Sequence, residues 1–309
     1  MTSLIVSVAL VSGSLAYAIW SAHRVALGEP VWWFVAAAPA AYIAPALVFA
    51  TACCALAWLW RTPRPPEARI GIAASLRLLA VESWTIAAGW PIMALHRWLI
   101  RDPAPAPAAL PIVLIHGVLC NDGVWFALRR HLAQAGIGPV YTLNYGPMFA
   151  SAEHFASQLA ARIATVRAAT GAERVVLVGH SLGGLVARAY LRRFGAAQVS
   201  RLITVGTPHH GSYFAWLFPG WCLAQMRPGN AWLMKLNRDE GESPPVPMTA
   251  LWSRHDTMVA PQASAMLVGA ENVALLGIGH NALLRDKQVT TLVAAISRNP
   301  AARAEAITE

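Results

Sequence analysis

The sequence predicts an α/β fold, a mainly parallel sheet flanked by helices and preceded by a transmembrane helical hairpin. Three observations carry that expectation. Short apolar or β-branched runs at 112–115, 140–143, 175–178, 202–205, 249–252 and 273–276 alternate with helical stretches near 123–135, 152–169 and 183–194. Such alternation puts helices on both faces of parallel strands. Upstream, residues 1–22 contain no charged side chain and neither do residues 30–60; each stretch exceeds the roughly 20 helical residues a bilayer needs. Between the two halves, Asp102-Pro103-Ala104-Pro105-Ala106-Pro107 is a polyproline-type linker.

The expected organisation is therefore two transmembrane helices over 1–60, an interfacial helix and Pro-rich linker over 61–109, an α/β domain over 110–298 and a tail over 299–309. The first apolar run also admits a secretion signal, since Ala16-Tyr17-Ala18 resembles a cleavage site. No Lys or Arg precedes it, however, and a second apolar run follows, which favours a hairpin. Two buried helices of a soluble protein are the blander reading, but such helices normally keep a polar face. Basic residues set the orientation: Arg24 lies in the short connection, against Arg61, Arg64, Arg69 and Arg77 after the second run. The positive-inside rule then places both the N-terminus and everything after residue 60 in the cytoplasm, as a multi-pass membrane protein.

Residues 70–100 are rich in Leu, Ala and Trp but interrupted by Arg77, Glu82 and Arg97. Trp84, Trp90 and Trp98 suit a head-group interface, and a helix packed on the domain fits equally well. The net charge of +9 comes mostly from Arg scattered along the chain, which suits a solvated or lipid-facing surface and no nucleic-acid partner. Cys53, Cys54, Cys120 and Cys222 have neither metal-site nor disulfide-framework spacing and fit a reducing compartment.

The chemistry centres on Gly179-His180-Ser181-Leu182-Gly183, directly after the 175–178 run and before a helical stretch that stops at Gly195. A strand-to-helix turn this tight leaves no room for side chains two residues either side of the serine, whose hydroxyl is then exposed above the sheet. A serine at neutral pH needs a base and an acid to orient it. Asp256 follows the 249–252 strand and His280 follows the 273–276 strand, flanked by glycines. Glu240, Glu242 and Glu271 are rival acids; His209, His210 and His255 lack the strand-end position. His180, at the variable position of the elbow, is expected to pack under the nucleophile. Oxyanion donors are expected from the backbone N–H groups of Leu182 and Val118, the latter in the turn after Ile115-His116-Gly117. An ordinary strand-end turn is the alternative there.

Leu114-Ile115-His116-Gly117, Gly179-His180-Ser181-Leu182-Gly183-Gly184, Gly206-Thr207-Pro208-His209-His210-Gly211-Ser212, Asp256 and Gly279-His280 together resemble the α/β-hydrolase superfamily, in particular bacterial triacylglycerol lipases and esterases. The likeness covers about residues 110–298. It implies a triad of Ser181, His280 and Asp256, oxyanion donors at Val118 and Leu182, and no cofactor. Many secreted lipases of this kind carry structural calcium and an acid shortly after the histidine; Asn281 stands here, so no metal site is inferred. The aromatic, Met-rich insertion over 211–247 is read as a lid over an acyl-chain pocket or as a subdomain with its own core. The implied function is hydrolysis of lipid acyl esters at a membrane. An acyltransferase using the same triad and a non-catalytic scaffold remain as alternatives.

Overall fold

The computed structural model describes residues 2–298. Its elements run α1 (Thr2–Ala26), α2 (Val31–Leu59), α3 (Ile72–Ala94), α4 (His96–Leu99), β1 (Ile112–Ile115), α5 (Phe126–Gln134), β2 (Val140–Leu143), α6 (Ala152–Thr170), β3 (Val175–His180), α7 (Leu182–Phe194), β4 (Val199–Val205), α8 (Trp221–Gln225), α9 (Ala231–Glu240), β5 (Met248–Ser253), β6 (Glu271–Leu275) and α10 (Lys287–Arg298). The expected tail over 299–309 lies outside the described residues.

All six strands pair in parallel, in the order β2-β1-β3-β4-β5-β6. Alternate side chains of the same strand enter opposite cores, the period-2 consequence of pleating. Val113 and Ile115 of β1 pack with Leu177 beneath α6 and α7, whereas Ile112 and Leu114 pack with Val178 beneath α5 and α10. Burial on both faces explains why these strands read as unbroken apolar runs. Helix ends follow local chemistry. Ser151 caps α6 by accepting the His154 N–H at 3.2 Å, and Gly171 ends that helix in the left-handed region at φ 69°.

The strand order reverses between β1 and β3, where parallel α/β sheets open a crevice beyond the carboxyl ends of their strands. Register sets Ile115 beside Gly179, so the turn after β1 and the turn after β3 face the same crevice. Every site residue expected from the sequence lies at this end of the sheet, in a turn, at the end of β3 or at the start of α7.

The N-terminal region holds three long helices, of which α1 and α2 follow one another as the expected hairpin would. α1, α2 and α3 are each long and apolar enough to cross a membrane. α3, expected as an interfacial or packing helix, is continuous over 23 residues. It packs against both α1 and α2, and Tyr42 on α2 donates to the Ala87 carbonyl at 2.8 Å. Leu78, Glu82, Ser83, Thr85 and Ala87 of α3 are buried, while α1 buries no residue. The second helices also meet the α/β unit directly: Cys53 and Ala57 of α2 cluster with Phe214 and Ala260.

Candidate active site

The turn after β3 holds Ser181 at φ 54° and ψ −123°, a conformation costly for a residue with a side chain and characteristic of strained functional turns. Close packing fixes it. A methyl group on Gly183 would overlap the Ile115 carbonyl, and one on Gly179 would overlap the backbone of Gly184. The Ser181 N–H donates to the Val205 carbonyl at 3.0 Å, and its carbonyl accepts from Gly184 N–H at 3.1 Å. The elbow is thus tied to β4 on one side and to its own helix on the other.

Asp256 and His280 meet as their strand-end positions predict: His280 Nδ1 lies 2.9 Å from Asp256 Oδ2. Asp256 is itself held by the N–H groups of Met258 and Val259, at 2.8 and 2.7 Å on Oδ1. Burial pushes the His280 pKa down, but the adjoining Asp256 carboxylate outweighs it, with Glu82 adding to the effect, and the value is raised. The rivals are occupied elsewhere. Glu240 pairs with Arg188, Glu271 accepts from Thr249 Oγ1 at 3.2 Å, and Glu242 is exposed. His209 is buried between Arg188 and Thr204, and His255 Nδ1 accepts from Gly277 N–H at 3.1 Å.

His180 packs its ring 4.6 Å from that of His280, with Trp125 edge-on at 6.4 Å. Burial first, then the neighbouring His280, depresses its pKa well below the usual value, so it stays neutral beside the candidate base. On the opposite wall, His116 stacks on Tyr145 at 4.2 Å, and the Tyr145 hydroxyl donates to the His116 carbonyl at 2.6 Å. Burial holds the His116 pKa down at about 4. Leu119 in the same turn has φ 58°. Among the hydrogen bonds of the described residues, neither the Val118 nor the Leu182 N–H donates to a protein acceptor.

Ser181, His280, Gly117 and Val118 line one cavity of about 270 Å³. Its walls are mostly apolar and include Phe49, Trp90 and Met93 from α2 and α3, Phe214, Phe218 and Met226 from the 211–247 insertion, and Met258, Val259 and Leu284 from the turns after β5 and β6. The insertion is anchored to α7 by Arg188, whose fully buried guanidinium bonds Glu240, and Asn237 at 2.8 Å. A hydroxyl and an oriented imidazole that line the same chamber, with two N–H groups that have no protein acceptor, form an arrangement of the kind acyl transfer uses. Among the described residues no three His, Cys, Asp or Glu side chains gather as a metal site.

One participant was not foreseen. Glu82 of α3 accepts four hydrogen bonds from the turns that carry Asp256 and His280. The only signal for it in the sequence is its cost: a carboxylate within an apolar helix needs partners.

Residues 111–231 match a family model described as the alpha/beta hydrolase fold. A triacylglycerol lipase of Burkholderia plantarii is 32% identical over 160 residues, 49% of this chain and 44% of that protein. A 1-acylglycerol-3-phosphate O-acyltransferase, ABHD5 of Sus scrofa, is 36% identical over 116 residues, 35% of this chain and 32% of that protein. The chain thus spans less than half the length of these relatives. Among solved structures, mature Bacillus licheniformis lipase BlEst2 superposes with a TM-score of 0.54 at 20% identity, over 64% of this chain and 95% of that one. The six-stranded parallel sheet flanked by helices is the α/β-hydrolase fold.

Proposed function

We propose that this chain is a membrane-anchored serine hydrolase that cleaves carboxylic esters of lipids. The observation that carries the reading is the hydrogen bond between Asp256 and His280, a histidine that lines the same apolar cavity as Ser181. Ser181 Oγ attacks the acyl carbon while His280 Nε2 takes its proton, and Asp256 stabilises the imidazolium that forms. The carbonyl oxygen gains its negative charge between the N–H groups of Val118 and Leu182. Collapse expels the alcohol, protonated by His280, and leaves an acyl-enzyme that water attacks by the reverse proton route.

Lipid esters fit because the chamber offers aromatic and Met side chains to an acyl chain. The long apolar helices support anchoring; with α1 and α2 as the two spans and α3 docked on the α/β unit through Glu82, the Arg residues that follow α2 support a cytoplasmic catalytic domain. The similarity to an acyltransferase favours one second reading, in which an alcohol other than water accepts the acyl group from the same intermediate.

The test is turnover of p-nitrophenyl esters of graded chain length by the full chain in detergent, with and without glycerol-based acceptors. Ser181→Ala is expected to lower turnover roughly 10⁴-fold or more and to abolish labelling by a fluorophosphonate. Full turnover by that variant overturns the assignment; acyl transfer exceeding hydrolysis selects the second reading.

A further inference from the structure

Glu82 sits in the middle of α3 with only 1% of its surface exposed. A carboxylate enclosed in this way loses its hydration, and protein donors must replace it. Four do. Oε1 accepts from Thr257 Oγ1 at 3.0 Å, from Asn281 N–H at 2.9 Å and from Asn281 Nδ2 at 2.9 Å, and Oε2 accepts from Ala282 N–H at 3.0 Å.

These donors come from two separate turns, one bearing Asp256 and the other bearing His280. Thr257 follows Asp256 directly. Its hydroxyl hydrogen goes to Glu82, which leaves its oxygen to accept the His280 N–H at 3.2 Å. Asn281 and Ala282 follow His280. The carboxylate also occupies the space a side chain at Gly279 would need, since a methyl group there would overlap Oε2. Glu82 therefore touches the residues on both sides of His280 and the residue after Asp256, without touching the imidazole.

We propose that Glu82 is a positioning residue: the carboxylate of an apolar helix clamps the two turns that carry Asp256 and His280, so the acid–base pair is aligned only when α3 is docked. This rests on the reading of Ser181, Asp256 and His280 as a hydrolase triad. It also makes an apolar N-terminal helix part of the positioning machinery. A misplacement of about 1 Å of a reacting group lowers turnover by roughly 10²-fold, so a clamp of this kind has a measurable effect without contacting substrate.

Three charged or titratable groups face His280: Asp256 from the turn after β5, Glu82 from α3 and His180 from the end of β3. Asp256 holds the His280 pKa up and Glu82 adds to it. Loss of the Glu82 charge therefore lowers that pKa, and the acid limb of the kcat/KM profile moves to lower pH, because neutral His280 then persists further into acid.

The experiment uses the full chain in detergent, with p-nitrophenyl esters and thermal unfolding measured in parallel. Glu82→Gln keeps the shape but presents an N–H group to N–H donors. Its kcat is expected to fall roughly 10- to 100-fold, with KM within about threefold of wild type and the acid limb displaced downward. Glu82→Asp keeps the charge on a stem too short to reach both turns; its kcat is expected to fall while the acid limb stays in place. Wild-type kcat in either variant overturns the proposal, as does a loss of activity that only follows the loss of folded protein. If Glu82→Gln does not fold, Glu82→Asp decides alone. Failure of the underlying hydrolase reading looks different, since Ser181→Ala then retains turnover whatever Glu82 does.

Discussion

α7 and α1 are held by opposite means. α7 buries ten of its thirteen residues against the sheet and α6, whereas α1 buries none of its 25. The same contrast separates the two halves of the chain. In the α/β unit, position comes from area removed from water, which is strong and non-directional. The N-terminal region instead meets that unit through one small apolar cluster, Cys53 and Ala57 with Phe214 and Ala260, and through directed contacts: Glu82 with its four donors and, from the segment after α2, Arg64 Nε to the Arg254 carbonyl at 2.8 Å and Thr62 N–H to Gln262 Oε1 at 3.0 Å. Its remaining surface is apolar and faces outward, as Leu4, Ile5, Val8 and Trp20 do. Directed contacts leave a helix free to satisfy a second environment on its other side. Area burial does not.

The largest expected effect breaks the comparison within the α/β unit. Asp256→Asn leaves His280 without its anionic partner, and turnover is expected to drop roughly 10⁴-fold in the ester assay. The pH dependence of unfolding changes with it. Because the folded-state pKa of His280 is raised, the protonated pair contributes stability in full below the ordinary imidazole value of about 6.5. That contribution is lost as pH rises through the raised folded value. Asp256→Asn is expected to remove this component of the stability profile.

Arg188→Met asks whether a directed contact inside the α/β unit matters as much as burial. The buried guanidinium is the partner of Glu240, whose side chain is only 7% exposed, so the substitution strands a carboxylate between α7 and α9. A loss of about 3–5 kcal/mol in denaturant unfolding is expected. The smallest effect concerns the wall shared by both halves. Trp90→Ala widens the cavity on the α3 side and is expected to lower kcat/KM for long-chain relative to short-chain esters roughly tenfold. An unchanged ratio would show that the acyl chain does not lie against Trp90.

What could be read from the sequence followed the same division. The strands announced themselves because each is buried on both faces or, like β6 with its alternating exposure, by position in the series. Ser181, Asp256 and His280 were legible because the fold delivers them at strand ends, where a local pattern of apolar run followed by turn marks the place. Gly179 and Gly183 were legible for steric reasons visible in the motif itself. Glu82 was not, since its partners Thr257 and Asn281 lie 175 and 199 residues away and no local pattern links an acid in an apolar helix to a distant turn. The contribution of Phe49 and Trp90 to the cavity was hidden for the same reason: packing of preformed helices onto a domain depends on shape, which hydropathy does not encode. Continuity of α3 was obscured by Arg77 and Glu82, charges that looked like interruptions until one of them was seen to face inward.

The 199-residue separation of Glu82 from Asn281 also has a consequence in time. At 5–20 residues per second, roughly 10–40 s of synthesis separate the two. Over that interval the apolar helices have left the ribosome, and Ser181 follows well ahead of His280. The nascent chain thus exposes Ser181 before His280 has been made, and Glu82 waits without its four donors. On the proposed reading as a lipid ester hydrolase, the chain is by this order of events inert while it is being made.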